Sequence, residues 1–218
     1  MMGQHLLNKR ASSPRRHAHV GAPDLLHSLL EARALLEIAM LPTALPLLLQ
    51  APAGDGHPVL LLPGFLADER SLVALELLLK LKGYAVETWG LGRNVGFHTR
   101  YLKALEHKIR DLHLKSGRKV SLVGWSLGGV FGIVAAHLAP ETVRSIVTLG
   151  SPVSATAGES HASPAVKALY RIVARHSPSS AHAAHPRARD VRRGLLPQVP
   201  ISCLYTLSDG VVPPHCGP

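Results

Sequence analysis

Residues 120–129 read Val-Ser-Leu-Val-Gly-Trp-Ser-Leu-Gly-Gly, and an apolar run follows until Pro140. Lys119 to Gly124 has the composition of a buried strand and Leu127 to Leu138 that of a helix, which puts Ser126 at a strand-to-helix turn. A serine at so sharp a turn needs strained dihedrals, and the residues two positions to either side must lack side chains for the turn to close. Gly124 and Gly128 meet that need. The hydroxyl is then lifted above the sheet, and the helix N-terminus behind it favours negative charge developing on a bound carbonyl. This is the pattern of a nucleophile elbow, with Ser126 the candidate nucleophile.

Outward from this turn, strands and helices alternate. Pro58 to Pro63 is a continuous apolar run stopped by Pro63-Gly64, as a strand buried on both faces would be. Ser71 to Leu81 is leucine-rich and closed by Gly83, so a helix is expected there. Tyr84 to Trp89 reads as a second strand. Leu102, Leu105, Ile109 and Leu112 mark a helix that stops near Gly117. Val143 to Leu149 and Ile201 to Leu207 are further strands. Such alternation means βαβ units, hence a mostly parallel sheet with helices on both faces.

Two regions fall outside the alternation. Residues 1–21 are polar and basic and read as a disordered tail, followed by a helix from Pro23 to Met40 and a Pro/Gly-rich connector from Ala51 to His57. Between the fourth and fifth strands, residues 153–200 are far more than a simple crossover needs. Biased toward Ala, Ser, His, Arg and Pro, they read as a cap or lid above the carboxyl ends of the strands.

The chemistry expected at the turn needs two more parts. An oxyanion hole requires backbone N–H donors: Leu127, directly after the serine, supplies one, and Phe65 in the loop after the first strand supplies the other. The acid should follow a later strand, where Ser208-Asp209-Gly210 offers Asp209 to orient a histidine.

Together, Gly54-Asp-Gly-His-Pro-Val-Leu-Leu-Leu-Pro-Gly64-Phe65, Gly92-Arg93-Asn94, Gly124-Trp-Ser126-Leu-Gly128-Gly129, Gly150-Ser151-Pro152 and Ser208-Asp209-Gly210-Val211-Val212 resemble a bacterial α/β-hydrolase of the lipase/esterase type. The resemblance spans residues 31–155 and 201–212, a little over 60% of the chain. It implies an α/β-hydrolase-like domain over 22–218, incomplete at its C-terminal edge, and a Ser-Asp-His triad in which Ser126 and Asp209 fill two positions. The family places its histidine after one further strand, whereas this sequence ends nine residues after Asp209 with His215 the only histidine between. A truncated member is therefore expected. The implied function is hydrolysis of a small-molecule or lipid carboxylic ester; the alternative is a non-catalytic or fragmentary hydrolase-like protein lacking the triad histidine.

Composition narrows the remaining classes. Apolar residues at 46% and charged residues at 17% exclude a chain disordered throughout. The net charge of +10 resides in two segments, +4 in residues 1–20 and +6 in residues 161–200, while the rest balances. Only Tyr170 is aromatic in the second segment, so the stacking platform of a nucleic-acid face is missing and no nucleic acid is expected. Such charge is met by solvent, or by peripheral contact with an anionic membrane surface or an acidic partner. Cys203 and Cys216 are too few for a disulfide framework and read as free thiols; with no apolar run in the first twenty residues, a cytoplasmic location is expected. Gly90-Leu-Gly92-Arg-Asn-Val-Gly96 fails the dinucleotide fingerprint because its third glycine is one residue late. His176, His182 and His185 lack a carboxylate or thiolate at sensible spacing, so neither metal nor cofactor is expected.

Overall fold

The computed structural model describes residues 43–151 and 197–205. The expected tail, the helix over 23–40 and nearly all of the expected cap lie outside the described residues.

Five strands form one sheet: β1 (Pro58–Leu62), β2 (Ala85–Thr88), β3 (Val120–Trp125), β4 (Val143–Leu149) and β5 (Ile201–Leu204). All four neighbouring pairs are parallel, and the order across the sheet is β2-β1-β3-β4-β5. Three helices connect them, α1 (Val73–Leu81), α2 (Thr99–Ser116) and α3 (Leu127–Leu138).

The alternation of side chains along β1 explains the layers. Leu60 and Leu62 point into the larger core with Trp89, Leu105, Ile109, Leu122 and Phe131, between the sheet and helices α2 and α3. Val59 and Leu61 point the other way, joining Leu72 and Val86, with Leu75 and Leu79 of α1 against them. Every β1 residue is buried, as its unbroken apolar run demands, and each large side chain so buried contributes about 1.5–3 kcal/mol.

The helix ends follow local chemistry. Helix α1 is entered through a 3₁₀ turn, Glu69–Leu72, whose N-cap Asp68 accepts from the Arg70 N–H at 3.0 Å. The α-helix therefore begins two residues later than the leucine pattern from Ser71 suggests. Helix α2 buries Leu102, Leu105 and Ile109, and Gly117 ends it at φ +65° with its N–H on His113 O at 2.9 Å. Helix α3 is buried almost all round, as its apolar sequence requires. Residues 43–49 are also helical, although Pro46 stands among them. Among the described residues, no helix is long and apolar enough to cross a membrane.

Candidate active site

From β1 the chain moves outward to β2, then returns to the opposite side of β1 to lay down β3. The direction of strand addition reverses between β1 and β3. In open parallel sheets the crevice at the carboxyl ends of such a strand pair is where ligands bind. Leu62, the last residue of β1, is in register with Gly124 of β3. The segments that follow, Pro63-Gly64-Phe65 and Trp125-Ser126, thus emerge side by side at that crevice.

Ser126 adopts φ +51° and ψ −118°, one of two described non-glycine residues with positive φ. These are the dihedrals that favour glycine at the first central position of a type II′ turn, and a side chain there is strained by about 1–3 kcal/mol. The backbone closes around it: Ser126 N–H donates to Leu149 O at 2.8 Å, and Gly129 N–H donates to Ser126 O at 3.0 Å. Ser126 is half-buried, and its side chain makes no capping bond to α3, the helix that it opens.

The surrounding glycines are steric necessities. A Cβ on Gly124 would overlap the backbone of Gly128 and Gly129. One on Gly128 would overlap the Leu62 carbonyl oxygen and lie 2.9 Å from Pro63 O, so the first turn of α3 rests directly on the end of β1. One on Gly64 would lie 3.2 Å from the Trp125 ring and 3.4 Å from Ser126 Cβ. The loop after β1 is therefore packed against the serine turn, with Phe65 and Leu127 on its two sides in the chain. Beside them, the Trp125 side chain is 43% exposed, a large apolar surface next to Ser126.

Asn94, one of the residues that carry the family resemblance, holds this loop. It is fully buried; its Nδ2 donates to Pro63 O at 2.8 Å, its N–H to Ala67 O at 2.9 Å, and its carbonyl accepts from Leu66 N–H at 2.7 Å. Leu66 is the second non-glycine residue at positive φ, +62°. The bonds join residues some thirty positions apart, so no local pattern announces them.

A second polar cluster lies at the opposite, amino end of the strands. The Asp55 carboxylate accepts from His57 Nδ1, and His57 Nε2 lies 2.9 Å from Ser121 Oγ, itself 3.1 Å from Ser145 Oγ. Arg144 Nη1 also lies 2.9 Å from His57 Nδ1. Arg118 and Arg144 pair with the same carboxylate at 2.8 and 2.9 Å. The His57 hydrogen bond, then that from Arg144, holds the Asp55 carboxyl far below the usual carboxylate range. This array has the residue types of a catalytic relay in the wrong place. Ser121 sits within strand β3, buried, beside a register shift against β4, with no helix N-terminus behind it.

Asp209 and His215 lie outside the described residues. Register relates the end of β5 to the crevice: Leu149 pairs with both Trp125 and Leu204, so β3, β4 and β5 end level. Gly150 N–H donates to Leu204 O at 2.8 Å, extending the ladder past the last paired residues. Among the described residues no group of three or more His, Cys, Asp or Glu is arranged to hold a metal ion.

The fold recurs in solved structures. A soluble variant of monoglyceride lipase from Saccharomyces cerevisiae, in complex with a substrate analogue, aligns over 76% of this chain and 74% of its own at a TM-score of 0.52 and 14% identity. A structure described under the metagenome-derived lipolytic enzymes LipS and LipT aligns over 75% of this chain and 77% of its own at a TM-score of 0.50 and 20% identity. This is the α/β-hydrolase fold. A family model for the PGAP1-like alpha/beta domain matches residues 86–191, just under half of the chain, and takes in β3, the turn and α3. A lipase from Bacillus licheniformis, BlEst2, aligns at 23% identity and a TM-score of 0.39 over 47% of this chain, which spans only 44% of that lipase's length. No curated protein matches the chain in sequence. The expected fold class, a parallel α/β-hydrolase-like sheet, is the one observed.

Proposed function

We propose that the protein is a carboxylic ester hydrolase with Ser126 as its nucleophile. The observation that carries this reading is the backbone of Ser126: a strained, half-buried serine between a parallel strand and a helix N-terminus, at the point where strand order reverses. Backbone strain of this kind clusters at active sites, ligand clamps and switch regions.

In the reaction, Ser126 Oγ attacks the ester carbonyl as a histidine base, oriented by Asp209, takes its proton. The N–H groups of Leu127 and Phe65 stabilise the oxyanion of the tetrahedral intermediate, helped by the partial positive charge at the start of α3. Collapse expels the alcohol, which leaves with the proton held by the histidine, and an acyl-enzyme remains. Water, deprotonated by the same histidine, releases the acid and restores Ser126. The exposed Trp125 ring beside Ser126 favours an apolar acyl chain, and the lipase names of the structural neighbours support an ester or lipid substrate. The basic segments 1–20 and 161–200 suit peripheral contact with an anionic lipid surface, and the scarcity of cysteine suits the cytoplasm.

A fluorophosphonate probe tests the assignment. Labelling should map to Ser126 by peptide mass spectrometry and vanish in Ser126→Ala. Absence of labelling in the folded wild-type protein, or labelling that survives the substitution, refutes it.

A further inference from the structure

From the bonds around the loop after β1, we infer that Asn94 is a positioning residue for the oxyanion hole: it fixes the Pro63–Ala67 backbone so that the Phe65 N–H faces the carbonyl attacked by Ser126. The inference rests on the ester-hydrolase reading for what the loop does, and on the structure alone for what holds the loop.

The loop needs an external brace. It leaves β1 at Pro63, which lacks an N–H, and Leu66 takes a left-handed backbone that a leucine adopts only at a cost of about 1–2 kcal/mol. Such a conformation persists only where its surroundings enforce it. Asn94 does so from both ends of the loop. Its side-chain Nδ2 takes Pro63 O, and its main-chain N–H and carbonyl take Ala67 O and Leu66 N–H, spanning Phe65 between them. The carboxamide oxygen is spoken for as well, accepting from Gly96 N–H at 3.1 Å, which fixes the amide orientation.

Asn94 is itself held rigidly. Trp89 Nε1 donates to Gly92 O at 2.8 Å, Tyr101 Oη donates to Arg93 O at 3.3 Å, and Gly92 N–H donates to Glu69 Oε1 at 3.1 Å. Trp89 and Tyr101 belong to the main core, so the loop after β2 is anchored there and transmits that order to the loop after β1. A residue in this position touches neither substrate nor nucleophile. It acts through the main chain of Pro63–Ala67, and an error of about 1 Å in such positioning costs on the order of 10²-fold in rate.

The decisive variants are Asn94→Asp and Asn94→Ala. Aspartate has the same shape, but when ionised it cannot donate to Pro63 O. When protonated, its hydroxyl donates to Pro63 O while its other oxygen accepts from Gly96 N–H. Burial disfavours the charged form and so raises the pKa of such a carboxyl above the usual range. Ser126 labelling by a fluorophosphonate should therefore slow about 10–100-fold in Asn94→Asp at pH 8, and the ratio to wild type should recover as pH falls toward 5. Asn94→Ala should be slow at every pH. Amide hydrogen exchange of residues 64–67 should quicken at least tenfold in both variants while amides of β3 and α3 keep their protection, which separates a loosened loop from an unfolded protein.

Exchange at residues 64–67 unchanged in both variants overturns the inference, whatever the labelling shows. Faster exchange with labelling equal to wild type overturns it too, because the loop would then be braced without serving the reaction. If wild type itself is not labelled, the ester-hydrolase reading fails first, and exchange shows only that Asn94 orders the loop, which removes the catalytic role inferred here.

Discussion

Two glycines of helix α3, four residues apart, should respond oppositely to the same added methyl group. Gly132 lies in the helix interior, and a Cβ there would meet Leu62 Cδ1 at 3.4 Å, Ile146 Cγ2 at 3.6 Å and Leu122 Cβ at 3.7 Å. These are side-chain atoms at or near ordinary contact, so the gain from replacing an interior helical glycine, about 0.5–1 kcal/mol, should survive. Gly128 meets backbone instead: its Cβ would overlap the Leu62 carbonyl oxygen, with the carbonyl carbon at 2.7 Å. A strand carbonyl in mid-sheet cannot turn aside, so α3 or the end of β1 must shift. Overpacking of this kind costs about 1–3 kcal/mol, and the loss here belongs near the upper end. At roughly 2–4 °C per kcal/mol for a chain of this size, Gly132→Ala should melt about 1–4 °C above wild type, and Gly128→Ala about 4–12 °C below it. Thermal unfolding followed by circular dichroism reads both, and fluorophosphonate labelling reads the site. Gly132→Ala should label as wild type does, whereas Gly128→Ala should label poorly even at temperatures where it is fully folded. If Gly128→Ala keeps both the melting temperature and the labelling rate of wild type, the close seating of α3 on β1 is wrong, and the site geometry goes with it.

Ser126→Gly should raise stability by about 1 kcal/mol over Ser126→Ala, since glycine relieves the backbone strain at φ +51° and alanine does not; equal urea midpoints for the two variants would contradict the strained turn. Asp55→Asn should lower stability at neutral pH and matter less in acid. The carboxyl is depressed by His57 and Arg144, so its contribution is present above the unfolded value of about 3.9 and is lost as pH falls below it. Urea unfolding at pH 7 and pH 3 should show the gap between wild type and Asp55→Asn narrowing; a gap that stays constant or widens in acid would refute the assignment.

The parts of this fold legible in the sequence are those whose cause is local. The Pro58–Pro63 run announces a doubly buried strand because burial on both faces leaves no polar position, and Gly124 announces the turn because the clash it avoids, with Gly128 and Gly129, is between near neighbours in sequence; the reason for Gly128, the Leu62 carbonyl, is visible only in the fold. Helix α1 was legible in its leucines but not in its entry, because Asp68 stabilises a 3₁₀ turn first and the leucine spacing does not record caps. Asn94 was quoted among the residues of a family likeness, yet nothing local distinguishes it from any asparagine in a glycine-rich turn. Its bonds reach Pro63, Leu66 and Ala67, and only the folded chain brings them together. The same holds for His57, whose partner Ser121 lies 64 residues away.

Those two clusters explain why one end of the sheet tolerates what the other does not. At the amino ends, Asp55, His57, Ser121 and Ser145 with two arginines tie the entry to β1 onto β3 and β4, and no described non-glycine residue there takes a positive φ. At the carboxyl ends, both described non-glycine residues with positive φ, Leu66 and Ser126, occur within one crevice. Strain must be offset by packing elsewhere, and a sheet pinned at one end can hold unfavourable turns at the other. An Asp-His-Ser array is therefore not a catalytic site by its atoms alone. Ser121, in an extended strand and hydrogen-bonded to His57 and Ser145, stabilises the sheet. Ser126 is strained and stands at a helix N-terminus, where a developing oxyanion is best stabilised, so the serine to follow through a reaction is the one that the fold holds at a cost.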